Sequence, residues 1–151
     1  MRTVTWCAQM SLGMPAIDEA HKAFLDELGA LANAGREQLV AGFDGLIVLM
    51  ERDFREEEAL MEKIAFPALR SHREQHGRAL DGLKQACPYI NAGDLDVGHA
   101  TIAQLTRWFL IHLSTMDLAL AVALEMAGQH HHPPPTVFLR EQLSRMLNTD
   151  V

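Results

Sequence analysis

Along most of the chain apolar residues recur at intervals of three and four, the period of a helix that buries one face, and no segment sustains strand-like alternation. The first stripe, Ile17, Phe24, Leu28 and Leu31, follows the turn-like Gly13-Met14-Pro15 and stops before Gly35. A second helix is predicted over about 43–64, with Phe43, Ile47, Met50, Phe54, Leu60, Met61 and Ile64 facing inward and Phe66-Pro67 ending it. The third covers about 68–86, with Leu69, Leu80 and Leu83 inward and Cys87-Pro88 as its end. Turn residues Asn91-Ala92-Gly93-Asp94 lead into a long fourth helix in which Ile102, Leu105, Phe109, Met116 and Leu120 repeat until Gly128. His130-His131-His132-Pro133-Pro134-Pro135 then makes a stiff break, and residues 137–147 read as a short extra amphipathic helix.

Helices of this length joined by short connections pack most easily as an all-α, antiparallel up-down four-helix bundle. The predicted organisation is a bundle over residues 1–128 with a short N-terminal arm, and a Pro/His-rich extension over 129–151 that is not a separate domain. The chain's 151 residues fit one domain, and 48% apolar with 22% charged residues is an ordinary globular balance. Thirteen Lys and Arg against twenty Asp and Glu leave a net charge of −7, which disfavours nucleic acid and anionic membranes as partners. The N-terminus lacks the pattern of a secretion signal, no stretch approaches about 20 uninterrupted apolar residues, and two cysteines, Cys7 and Cys87, build no disulfide framework. A cytoplasmic location is the expectation.

The informative residues are polar ones on the apolar stripes: His21 on the first helix, Asp53 and Glu57 on the second, His72 and His76 on the third, His112 on the fourth. Burying such groups without partners costs several kcal/mol each, roughly, and a shared cation removes that penalty. Imidazole and carboxylate are common metal ligands, and bundle cores are a frequent place to hold them. His72-x-x-x-His76 and Asp53-x-x-x-Glu57 are i,i+4 pairs, each projecting from one helix face. Asp117, five residues after His112, would approach from the edge of that face, where a carboxylate can bridge two ions. A single histidine on an apolar face is ordinarily hydrogen-bonded to a carbonyl, and a buried hydrogen-bonded network is the alternative to a metal. Glu56, Glu58 and His99 read as solvated surface residues, and His130 to His132 as a loose metal-binding tract. No CxxC pair, phosphate loop or serine nucleophile elbow is present, and no catalytic residue is assigned.

With these residues in place, the chain resembles the bacterial hemerythrins. The matching pieces are Trp6 with Leu12-Gly13-Met14-Pro15-Ala16-Ile17-Asp18-Glu19-Ala20-His21-Lys22, Phe54-Arg55-Glu56-Glu57-Glu58-Ala59-Leu60-Met61, Phe66-Pro67, His72-x-x-x-His76, and Trp108-x-x-x-His112-x-x-x-x-Asp117. The resemblance implies a non-haem di-iron core that binds O2 reversibly for carriage, storage or sensing. By it, His72, His76 and His112 would hold one iron and His21 the other, with Glu57 and Asp117 bridging. Where the family has a further histidine ligand, this chain has Asp53, which by the resemblance would fall on the iron with fewer histidines, the one that O2 attacks. An Asp side chain reaches less far than imidazole and, if it coordinates, adds anionic donation that favours the ferric state. A carboxylate-enriched redox site reacting with O2, peroxide or NO is therefore the alternative function. A third is an interaction module with a structural metal.

Overall fold

The computed structural model describes residues 3–128 and contains four helices with no strand among them. They are α1 (Pro15–Leu31), α2 (Arg36–Lys63), α3 (Leu69–Asn91) and α4 (Leu95–Met126). The connections 32–35, 64–68 and 92–94 are too short to cross the bundle, so successive helices run antiparallel. Each helix packs on its sequence neighbours, and α4 closes the ring against α1. The expected up-down bundle is therefore the fold. The extra helix foreseen at 137–147, the break before it and the His130 to His132 tract lie outside the described residues.

An arm precedes the bundle, with a single 3-10 turn at Ala8–Met10. Asp18, in the first turn of α1, fastens it by accepting from the Ser11 hydroxyl and, at 2.7 Å, from the Leu12 amide. Met10 and Leu12 are thereby driven into the core. Gly13 takes the left-handed conformation (φ 76°) that turns the arm into Pro15, whose fixed φ suits the first helical position.

Two helix boundaries and one stretch inside a helix differ from the expected ones. α2 begins at Arg36 rather than near Phe43, and its buried face reads Leu39, Phe43, Leu46, Met50, Asp53, Glu57, Met61. Gly42 and Gly45 weaken local propensity there, but burial of Leu39 against α3 and α4 carries the helix through them. α3 runs past Pro88 to Asn91 instead of ending at it. Ile90, 1% exposed, repays the lost amide bond by packing in the core, and Asp94 N–H closes the turn on the Tyr89 carbonyl. Within α4, residues Leu113–Asp117 form a π turn. That turn absorbs one extra residue, so Met116, expected on the inner stripe, is only half-buried and Asp117 takes the inward place.

α4 is long and apolar enough on average, by length and composition, to cross a membrane, although polar residues interrupt its apolar run. Its inner face is instead occupied by Ile102, Leu105, Phe109, His112, Leu113, Asp117, Leu120 and Leu124, all buried in the bundle.

The apolar core falls into two clusters, a large one from Leu39, Ile90 and Ile102 through Phe43, Leu46 and Met50, and a smaller one of Met61, Phe66, Leu120 and Leu124. Leu46 is fully enclosed. Leu46→Ala is expected to lower unfolding free energy by about 2–5 kcal/mol, whereas Val48→Ala, at a position 66% exposed, should change it by no more than about 0.5 kcal/mol. Urea unfolding midpoints of the two variants check this contrast.

Candidate metal centre

Midway along the bundle the apolar stripes give way to His21, Asp53, Glu57, His72, His76, His112 and Asp117, all buried. The i,i+4 spacing on α3 sends His72 and His76 to one face, their rings 4.5 Å apart. His112 meets them from α4. Its Nε2 lies 3.0 Å from His72 Nε2 and 3.1 Å from His76 Nε2. Asp117 would stand about 140° around a regular α-helix from His112; the π turn brings it to the same face, with Oδ1 3.1 Å from His112 Nε2 and 3.2 Å from His72 Nε2.

Both acids are shared between two sides of the cluster. Glu57 offers Oε1 to His21 Nε2 at 3.1 Å, and Oε2 to His72 and His76, each at 3.4 Å. Asp117 offers Oδ2 to His21 at 3.4 Å and Oδ1 to the three-histidine side. One oxygen of each carboxylate faces each side, which is the disposition a bridging ligand needs. Ligating atoms of Glu57, His72, His76, His112 and Asp117 all lie within 4.8 Å of one another.

A metal ion fits this donor set. Glu57 Oε2, both Asp117 oxygens and Nδ1 of His21, His72 and His112 are buried without a hydrogen-bond partner. Oxygens so placed are costly unless a cation takes them up. Nitrogens 2.1 Å from a common centre sit about 3.0 Å apart at right angles and about 3.4 Å apart in a tetrahedron. The observed 3.0 and 3.1 Å match the right-angled arrangement.

Surrounding groups hold the imidazoles still. The Phe54 ring stacks on His76 with centroids 3.7 Å apart, and Trp108 stacks on His112 at 4.6 Å. Phe109 meets His21 edge-on at 5.2 Å. Glu58, expected in solvent, instead accepts from His76 Nδ1 at 3.1 Å and from Arg73 Nε at 2.8 Å. That bond leaves His76 Nε2 bare and pointed at the cluster, the role an outer carboxylate plays for a metal-binding histidine. The signal in the sequence was available: a run of three glutamates beside an i,i+4 histidine pair on the next helix. His99 is also not a plain surface residue, since its Nε2 lies 2.9 Å from the Ala34 carbonyl.

Asp53 stands apart from the other six. It lines the same cavity as His21, Glu57, His112 and Asp117, but its Oδ1 accepts from Arg52 Nε at 3.0 Å and Nη2 at 2.9 Å.

The chain matches both a family model and individual proteins. The model of the hemerythrin HHE cation binding domain matches residues 12–124. A bacteriohemerythrin of Ralstonia nicotianae is 32% identical over 128 residues, covering 85% of this chain and 93% of that protein. Similar proteins of the same description occur in Stenotrophomonas maltophilia, 24% identical with 80% and 81% covered, and in Pseudomonas paraeruginosa, 26% identical with 78% of each covered.

The electrostatics of the metal-free cluster give its pH behaviour. Burial works against charge on His72, but hydrogen bonds to Asp117 and Glu57 outweigh it and push the pKa from 6.5 up to about 9. His21 is raised in the same way, its burial overcome by Glu57 and Asp117. Burial opposes ionisation of Glu57, yet bonds from His21, His72 and His76 hold its carboxyl well below the usual range. Raised histidines stabilise the fold fully below 6.5 and cease to do so as pH climbs through about 9; the depressed glutamate stabilises it above 4.5 and fails as pH falls below that. Metal-free protein should therefore melt highest between about pH 4.5 and 6.5, and lower on both sides. Thermal unfolding in chelator across pH 3–10 checks the window.

Proposed function

The chain belongs to the hemerythrin family, and from that premise we propose that it holds two iron ions in the bundle core and binds O2 there. The observation that carries this reading is the sharing of Glu57 and Asp117, each with one oxygen toward His21 and the other toward His72, His76 and His112. This sharing supports two cation positions, one with three imidazoles and one with His21. Iron bound there supplies the electrons that O2 takes up. The residues determine what reaches it. Phe24, Met50, Phe54, Trp108 and Phe109 wall the His21 side, enclosing a cavity of about 20 Å3. Room on that scale, little more than one water needs, excludes all but the smallest ligands. Apolar walls hold back water and protons, which favours reversible uptake over oxidation.

A second reading, turnover of O2, peroxide or NO, has its own support in the Asp53 carboxylate on the cavity wall. Anionic donation beside the metal favours its oxidised form. The two readings part in one experiment. Iron(II)-loaded protein exposed to O2 should develop a visible band that vanishes under argon and returns with O2. A band that does not reverse, or continuous O2 consumption with a reductant, would replace carriage by turnover.

A further inference from the structure

The two cation positions are unequal in donors and in charge. Around His72, His76 and His112 the chain supplies three imidazoles and both shared carboxylates within 4.8 Å of one another. On the other side it supplies His21 and the far oxygens of Glu57 and Asp117. Charge widens the difference, because the carboxylates of Glu57 and Asp117 balance one divalent ion and leave a second uncompensated. Among the described residues, Asp53 is the only other acid lining this cavity. It is 8% exposed, yet its Oδ1 is engaged twice by the guanidinium of Arg52, at 3.0 and 2.9 Å. Neighbours on a helix do not normally face each other, so the pair forms only because the Arg52 side chain, 53% exposed, folds back along the helix surface to its neighbour.

We propose that Arg52 is a positioning residue that holds the Asp53 carboxylate away from the second cation position, making the centre fill in two unequal steps. The first ion settles among His72, His76, His112, Glu57 and Asp117. The second binds beside His21 only as the Arg52–Asp53 pair opens and Asp53 turns to it. Iron content thus responds to free metal, with a one-ion state at low supply and a two-ion state at high supply. This inference rests on the metal-centre reading but not on iron or O2.

Anaerobic titration of the metal-free full chain with Co(II), followed by calorimetry and visible absorption, tests it. The wild type should take up two ions, the second about 100-fold more weakly than the first, and Arg52→Gln should tighten only the second step by about tenfold. In an Asp53→Asn background the same Arg52 change should gain nothing, since no carboxylate is left to release. An unchanged first step in every variant shows that the fold is intact. Two equal steps in the wild type overturn the proposal, as does a second step unmoved by Arg52→Gln. A gain that persists with Asp53→Asn also overturns it, because removal of a positive charge would then suffice. No Co(II) uptake at all removes the metal-centre reading along with it. Two unequal steps with the Asp53-dependent gain, alongside iron that never binds O2, would leave this inference standing and remove the O2 reading alone.

Discussion

Six ionisable side chains, His21, Glu57, His72, His76, His112 and Asp117, meet inside an apolar bundle, and they are stable there only because each compensates another. Without metal, raised histidine and depressed carboxylate pKa values amount to protons standing in for cations between the two acids. With metal, the cations replace those protons. The same desolvation that makes the cluster costly as separate charges makes it a strong trap for an ion. Everything around it keeps this arrangement rigid: Phe54 and Trp108 against the histidine rings, Glu58 on the outer nitrogen of His76, and Asp18 tying the arm to α1 so that Met10 and Leu12 remain packed in the core.

Helix register delivers this chemistry. A regular α-helix places His72 with His76, and Asp53 with Glu57, on single faces. It cannot place His112 and Asp117 so, and the π turn at Leu113–Asp117 is the local departure that does. A π turn has poorer backbone geometry than the helix around it, and such turns are frequent at functional sites. Here the return is Asp117 within 3.1 Å of His112 and 3.4 Å of His21.

Much of this was legible in the sequence, for physical reasons. Polar residues at buried periodic positions can be found wherever the period is regular, so His21, Glu57, His72, His76 and His112 were found and the bundle with them. Asp117 came with the wrong approach and Met116 with the wrong burial, because one inserted residue shifts the phase of everything after it. Arg36 to Gly42 have weak local propensity that tertiary packing overrides, and Pro88 is a stop signal in sequence although Ile90 beyond it is buried. Glu58 and Arg52 escaped for a different reason. Each acts through a contact with a neighbour, His76 across helices and Asp53 alongside, which periodicity does not encode. Position 53 itself was visible as an anomaly, but only the Arg52 contact shows which way its carboxylate is held.

The central claim is that the centre is a carboxylate-bridged pair of cation positions with three imidazoles on one side and His21 on the other. Anomalous diffraction at the iron edge from iron-loaded crystals tests it most directly. The account predicts a stronger peak among His72, His76 and His112 and a weaker one beside His21, with Glu57 and Asp117 between them. A single peak coordinated outside this cluster, or His21 turned away from two fully occupied ions, would contradict it.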